Sequence, residues 1–237
     1  MKQFRFSAAI IVAMVVLFSC NSGDDKKVED APDTTGVKPP EPTAPVKPAN
    51  TMTITHKVAN FTKWLAGYEA HDSMRLAHGL HNFVIGRGAK DTNMVFIAVR
   101  MDDYAKAKEF AASPNLKAAM QKAGVVGAPN VTFNDMQILD TSVSSALRLR
   151  VMHKVKDWNA WKIEFDSHEQ TRKDAGLSLR ALSYSMDDNH QVSIVFNVAD
   201  MQKAEEFGKS ADLKAKMEKA GVEGTPAFFY YTIAKRY

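Results

Sequence analysis

The chain has 237 residues, of which 45% are hydrophobic and 24% are charged, so it is long and apolar enough to form a globular core. The formal net charge is +4, and its lysines are mixed with acidic residues rather than gathered in a basic stripe, which argues against nucleic acid as a partner. The single cysteine excludes structural disulfides, a cysteine-based metal site and a cysteine nucleophile in the folded part.

The first twenty residues have the features of an export signal. Lys2 and Arg5 give a positive start, and residues 8–18 form an apolar run that is too short to cross a bilayer comfortably. We therefore interpret residues 1–20 as a signal peptide rather than as part of the fold.

The end of this signal suggests a lipid anchor. The residues Leu17-Phe18-Ser19-Cys20 resemble the lipobox of bacterial lipoproteins. The resemblance implies that Cys20 is lipidated, becomes the mature N-terminus and holds the protein in the cell envelope. Asn21 stands where many lipoproteins of the inner membrane have aspartate, so the outer membrane is favoured, on either its periplasmic or its surface face. The alternative is an ordinary secretory signal in which Cys20 has no role.

Residues 21–50 are predicted to be a disordered tether. They contain Pro39-Pro40-Glu41-Pro42 and almost no large apolar side chain, so they cannot bury enough surface to offset the entropy of ordering. A Pro-rich segment of this kind is a semi-rigid spacer between a membrane and a folded domain.

The rest of the chain consists of two copies of one unit. Residues 54–138 align without a gap on residues 151–235 at an offset of 97 positions. The matched pairs include His56 with His153, Trp64 with Trp161, His71 with His168, Arg75 with Arg172, and Lys122-Ala123-Gly124-Val125 with Lys219-Ala220-Gly221-Val222. A repeat of this length is a duplicated domain rather than a solenoid unit, and we place the two domains at residues 51–140 and 141–237.

Each unit has the pattern β-α-β-β-α-β. Apolar alternation predicts the strands, and apolar residues at helical spacing predict the helices. Asn60 and Asp157 are predicted N-caps, and Gly79 and Gly176 are predicted to end the first helices. The predicted strands cover residues 52–58, 82–88, 93–101 and 131–139 in the first unit and residues 147–155, 179–186, 191–199 and 227–234 in the second.

This order of elements is that of the ferredoxin-like fold, whose helices cover only one face of the sheet. The bare face must also be buried, and a second sheet from the other unit can cover it. We therefore predict an α+β fold in which two fused repeats pack sheet to sheet as a pseudo-dimeric α/β barrel, so that the protein is a monomer.

The repeated motifs also resemble a known superfamily. The order His-Lys-Val, then Trp, then His, Arg and Gly-Leu, then Leu-Lys and Lys-Ala-Gly-Val is similar to that of the dimeric α/β-barrel proteins, and more narrowly to the antibiotic-biosynthesis-monooxygenase-like domains. The resemblance implies the fold. It leaves function open, because the superfamily includes cofactor-free monooxygenases, haem-degrading enzymes and dismutases.

The candidate ligand-binding residues are a histidine from the first strand, a histidine from the first helix and a tryptophan in each unit: His56, His71, Trp64, His153, His168 and Trp161. The histidines could meet at the rim of a cavity, or they could be structural groups hydrogen-bonded to the backbone. The tryptophans could line an aromatic pocket or belong to the core.

Other residues give weaker signals. Arg75 and Arg172 could hold an anion or lie solvated near a helix C-terminus. His71, His78 and His81 are close in sequence, but a metal site is not favoured because Gly79 interrupts the helix between them. No catalytic motif and no cofactor can be assigned.

Three functions follow from these observations. The first is an anchored module that binds a small apolar or aromatic molecule. The second is a cofactor-free monooxygenase-like or haem-degrading enzyme. A structural protein is the third, with a barrel filled by five aromatic residues: Phe96, Phe133, Phe196, Phe229 and Tyr231. An open cavity lined by His56 or His153 would favour the first two.

Overall fold

The computed structural model describes residues 47–237. The predicted signal peptide, Cys20 and most of the predicted tether lie outside the described residues. Within residues 47–237, no helix is long and apolar enough to span a bilayer.

Both repeats have the predicted order of strands and helices. The elements of the first are β1 (Thr51–Val58), α1 (Phe61–Ala70), α2 (Asp72–Ala77), β2 (Leu80–Gly88), β3 (Met94–Met101), α3 (Tyr104–Ala112), α4 (Pro114–Ala123) and β4 (Val125–Leu139). Those of the second are β5 (Leu147–Val155), α5 (Trp158–Ser167), α6 (Glu169–Asp174), β6 (Leu177–Ser185), β7 (Gln191–Val198), α7 (Met201–Gly208), α8 (Ala211–Lys219) and β8 (Val222–Arg236).

The eight strands form one closed barrel. The strand order is β4-β1-β3-β2 in the first repeat and β8-β5-β7-β6 in the second, which is the ferredoxin-like order twice. The two sheets also pair along their edges, because β2 is antiparallel to β8 and β4 is antiparallel to β6. One chain therefore closes the barrel by itself, and none of the eight described strands has a free edge.

Local chemistry explains where the first helices begin. The side chain of Asn60 accepts a hydrogen bond from the backbone N–H of Lys63 (2.8 Å), and Asp157 does the same for Ala160 (2.7 Å). These bonds satisfy N–H groups that the helix itself leaves free.

Each first helix is broken, which the sequence did not predict. His71 and His168 have non-helical backbone angles (φ near −103° and −102°) and separate α1 from α2 and α5 from α6. The predicted stop signals act about two turns later, where Gly79 and Gly176 adopt left-handed conformations with φ of 65° and 74°.

The last strands are longer than predicted. β4 begins at Val125, which pairs with Val58, and a register shift separates this start from the regular ladder that follows. Gly127, with φ of 75°, lies within the irregular part. A glycine and a proline (Pro129) conceal the strand pattern there because both are unfavourable in regular strands. The start of β8 is built in the same way: Val222 pairs with Val155, a register shift follows, and Gly224 has a positive φ of 68°.

Alternate residues of each strand face two different environments. In β1, Met52 and His56 face the helices, whereas Thr51 and Thr53 face the interior that the eight strands enclose. We call this space the barrel interior. The β3 strand is buried on both faces.

The five aromatic residues proposed to fill the barrel divide between these environments. Phe96, Phe229 and Tyr231 pack together in the barrel interior. Phe133 and Phe196 instead lie on the helix side, where Phe133 contacts Tyr104 and Phe196 contacts Phe165. The five rings therefore do not fill the barrel together, which was the condition for a purely structural protein, because Phe133 and Phe196 lie on the strand faces that point toward the helices.

Candidate ligand-binding sites

Each repeat has a pocket between its helices and the outer face of its sheet. The cavity volume is about 80 Å³ in the first repeat and about 70 Å³ in the second. We call these the helix-side pockets. Four equivalent residues line each one: His56, Trp64, His71 and Arg75 in the first, and His153, Trp161, His168 and Arg172 in the second. All six residues predicted to bind a ligand therefore line a pocket, although these pockets lie outside the barrel interior.

The strand histidines are buried and have no hydrogen-bond partner in the part of the chain that the structure describes. His56 is 4% exposed and His153 is 6% exposed. Neither Nδ1 nor Nε2 of either ring has a partner within residues 47–237. Burial lowers the pKa of both imidazoles from 6.5 to about 4, so they are neutral at neutral pH. Each pocket therefore contains one unused donor and one unused acceptor on an apolar wall.

The helix histidines are held by protein partners. His71 Nδ1 lies 2.7 Å from the backbone oxygen of Gly67, and His168 Nε2 lies 2.9 Å from an oxygen of Asp212. These bonds place the two rings at the break between consecutive helices. The structural interpretation suits them better than it suits the strand histidines.

The tryptophans are both core residues and pocket walls. Trp64 lies edge-on to His56, with ring centroids 5.6 Å apart, and Trp161 contacts His153 at 5.5 Å. A second aromatic ring from the same helix stacks on each indole, Tyr68 in the first repeat and Phe165 in the second. The indole fixes the orientation of the imidazole because both rings are closely packed.

Arg75 and Arg172 are buried, which excludes the alternative that they are solvated near a helix C-terminus. The guanidinium of Arg75 lies 3.7 Å from the ring centre of Tyr68 and donates to the Tyr68 backbone oxygen (2.7 Å). Arg172 lies 3.8 Å from the ring centre of Phe165 and donates to its backbone oxygen. These bonds join the short second helix to the first, which is a structural role at the edge of the pocket.

The three clustered histidines of the first repeat do not converge. His78 Nδ1 lies 2.8 Å from the backbone oxygen of Met74, and His81 Nε2 lies 2.9 Å from Asp102. Across residues 47–237, no three histidine, cysteine or acidic side chains are arranged to hold a metal ion.

A haem group does not fit either helix-side pocket as it stands. Cavities of about 80 and 70 Å³ correspond to the volume of a few water molecules, far less than a porphyrin requires. The buried imidazoles have the chemistry of an axial ligand, but the packed indoles occupy the space beside them.

No protein-family model and no curated protein matches the sequence. Solved structures do match. A protein provisionally assigned as a monooxygenase from Fusobacterium nucleatum is 14% identical, with a TM-score of 0.52 over 79% of this chain and 93% of that chain. An anthrone oxidase-like protein is 11% identical, with a TM-score of 0.53 over 79% and 92% of the two chains. A provisionally assigned chlorite dismutase is 12% identical, with a TM-score of 0.51 over 78% and 95%.

These similarities establish the fold alone. The chain has the dimeric α+β barrel fold, with both halves of the barrel supplied by one polypeptide. The predicted fold class is confirmed. Activity does not transfer at these identities, because this fold carries several unrelated chemistries.

Proposed function

We propose that this protein is a lipid-anchored envelope protein whose two helix-side pockets bind a small apolar or aromatic molecule. One observation carries the binding proposal: in both repeats a buried, neutral imidazole faces an apolar cavity with neither ring nitrogen hydrogen-bonded within residues 47–237. An unsatisfied buried polar group costs about 1–3 kcal/mol, and a ligand with one hydroxyl or carbonyl group would remove that cost.

The dimensions of the pockets limit the ligand. An engineered cavity of 150 Å³ holds benzene, so a closed pocket of about 80 Å³ accepts only the edge of a ring or a short chain. The pocket of the second repeat reaches the surface beside Phe228, which is exposed. The ligand therefore enters with its hydroxyl or carbonyl group and the ring edge or short chain that carries it, while the rest of the molecule remains outside.

A pair of probes of similar size tests this proposal. Phenol and toluene differ in one hydroxyl group, so we expect the protein to bind phenol more tightly, with a stoichiometry of two. His56→Leu should remove one site, and His56→Leu combined with His153→Leu should remove the preference for phenol. His190→Gln is the control because His190 is exposed and lines neither pocket. Equal affinity for the two probes, measured by calorimetry, would exclude a role for the imidazoles.

The anchor is tested separately, through Cys20. The lipobox-like residues support lipidation, and the Pro-rich residues 21–50 support a tether. We expect Cys20→Ser to abolish labelling by a fatty-acid analogue and to release the protein from the membrane fraction, whereas Ser22→Ala should do neither. Membrane retention of Cys20→Ser would contradict the lipoprotein proposal.

An enzymatic function of the cofactor-free monooxygenase or haem-degrading kind is the second candidate. The provisional assignments of the similar structures favour it at the level of fold. Oxygen consumption in the presence of phenolic compounds, lost in the double histidine variant, would support the monooxygenase. Haem absorption in the purified protein, or loss of added haem on incubation, would support haem degradation. Haem binding in a helix-side pocket would require the helices to move away from the sheet.

A further inference from the structure

The two repeats differ in charge in the barrel interior. On β1 the inward-facing residues are Thr51 and Thr53, and the equivalent residues of β5 are Arg148 and Arg150. The duplication therefore has two arginines in one half where the other half has two small hydroxyl residues. Both arginines are 2% exposed.

Among the residues that the structure describes, no acidic side chain neutralises these arginines. The cavity that they line has a volume of about 70 Å³ and contains no aspartate or glutamate among the lining residues. Within residues 47–237, neither arginine takes part in a salt bridge. Two full positive charges are thus enclosed by the barrel without a counter-charge from the described chain.

Arg150 is fixed by neutral partners. Its Nε donates to the hydroxyl of Ser193 (3.1 Å), and one Nη donates to the hydroxyls of Thr53 and Thr132 (3.0 Å each). Its guanidinium also lies 5.4 Å from the ring centre of Phe96. These contacts orient the side chain, but hydroxyl groups do not cancel its charge.

Arg148 has no hydrogen-bond partner for its guanidinium within the described residues. One terminal nitrogen, Nη1, is fully buried and unsatisfied. Asn197, which lies opposite Arg148 in the β5–β7 ladder, is also buried, and both atoms of its side-chain amide lack a partner. Adjacent strands therefore place an unused guanidinium and an unused amide side by side.

Both arginines keep their charge at neutral pH. Burial lowers the pKa of Arg148 and of Arg150 to about 10, and each group is still protonated at pH 7. A buried charge without a partner is strongly unfavourable, whereas a guanidinium paired with an oxyanion is among the strongest of side-chain interactions.

We propose that the barrel interior binds a small oxyanion, of the carboxylate or phosphate type, at Arg148 and Arg150. Arg148 and Asn197 donate to it from groups that are otherwise unused, and Arg150 supplies the second positive charge. Half-buried Arg180 and exposed Arg236 also line this cavity and extend the positive charge toward the surface, which attracts an anion to the entrance. This site is separate from the helix-side pockets.

The full chain in detergent provides the test. It is dialysed against chloride buffer and titrated at constant ionic strength with sodium phosphate and, separately, with sodium acetate. We expect saturable binding by calorimetry and a melting temperature that rises with one of the two anions but not with added chloride. Preference for phosphate or for acetate then distinguishes a tetrahedral ligand from a planar one.

Two variants separate a specific site from general charge effects. Arg148→Met keeps most of the side-chain volume and should abolish the anion-dependent rise in melting temperature. Arg87→Gln removes the same charge from the helix side of β2, where Arg87 lies over Phe61, and should leave the rise unchanged. Should Arg148→Met fail to fold, Arg148→Lys replaces it, with at least a tenfold loss of affinity expected because lysine lacks the planar fork.

Two results would overturn the proposal. One is a wild-type protein that shows neither heat of binding nor thermal stabilisation with either anion, provided that native mass spectrometry also finds no retained oxyanion. The other is an anion response that is equally large in Arg148→Met and in the wild type.

Discussion

The buried strand histidines should make the stability of this protein depend strongly on pH. Burial lowers the pKa of His56 and His153 from 6.5 to about 4. Between these two values the unfolded chain binds more protons than the folded one, so the free energy of unfolding rises with pH. The stability that the neutral rings provide is fully present above about pH 6.5 and is lost as the pH falls toward 4.

The size of the effect follows from the pKa difference. One pKa unit corresponds to about 1.4 kcal/mol, so the full effect approaches roughly 3 kcal/mol for each histidine. At pH 5, about 2 kcal/mol of this is lost for each ring, or about 4 kcal/mol for the pair. A loss of this size is a large fraction of the typical stability of a domain.

Urea unfolding at pH 7.5 and pH 5.0 measures the loss. His56→Leu should reduce the difference between the two pH values by about 2 kcal/mol, and the double variant with His153→Leu should remove about 4 kcal/mol of it. At pH 7.5 the leucine variants should be as stable as the wild type or more stable, because the replaced ring nitrogens have no partner within residues 47–237. His190→Gln should behave as the wild type.

The reasoning fails if the wild-type protein is equally stable at both pH values, because the histidines would then titrate alike in the folded and unfolded states. It fails also if the double variant keeps the full pH dependence. In that case other groups that titrate between pH 5.0 and pH 7.5 would be responsible.

Two further predictions concern the barrel. Gly86→Ala should lower the free energy of unfolding by about 1–3 kcal/mol, because a Cβ there would collide with the ring of Tyr231. Gly208→Ala should not lower it, because its Cβ would make only an ordinary van der Waals contact with the ring of Phe228, and chemical denaturation compares the two variants. The isolated first repeat, residues 51–140, should self-associate or unfold because it loses the edges formed by β2–β8 and β4–β6, and light scattering that shows a stable monomer would contradict this.

The order of elements could be predicted because it depends on local patterns. The alternation in β1, the N-cap at Asn60 and the glycine after α2 each depend on a few neighbouring residues. The repeat then required every element to occur twice. The breaks at His71 and His168 could not be predicted in this way, because the apolar spacing continues through them and tertiary packing decides the backbone.

The positions of the pockets depend on which face of each strand points toward the helices and which points into the barrel, and the sequence of a single strand does not show this. In a closed barrel covered by helices both faces of a strand are buried, so the burial of His56 does not show which face it occupies. Its neighbours give the missing information, since Met52, Ile54 and His56 share one face and the threonines share the other. Assigning the more apolar face to the helices would have placed the histidine outside the barrel.

A comparison of the two repeats could have identified Arg148 and Arg150 as unusual interior residues, whereas the sequence of one repeat alone could not. Arg148 and Arg150 alternate with Leu147, Leu149 and Val151, which is the pattern of a strand with one solvated face. A barrel leaves no such face toward its interior. Two charged residues at inward positions of the second copy, where the first copy has threonines, are therefore a sign of divergence at a buried site.

Fusion of the two halves allows equivalent inward positions to carry different residues. In a symmetric dimer the equivalent inward positions of both halves carry the same residue, so an arginine at one position brings a second one across the axis. In the fused chain Arg150 instead donates to Thr53, the residue that occupies its own equivalent position in the other repeat. Thr132, its second hydroxyl partner on that nitrogen, occupies the position of Phe229. The helix-side pockets keep the same four residues in both copies, and the barrel interior, which the two copies share, has become asymmetric and positively charged.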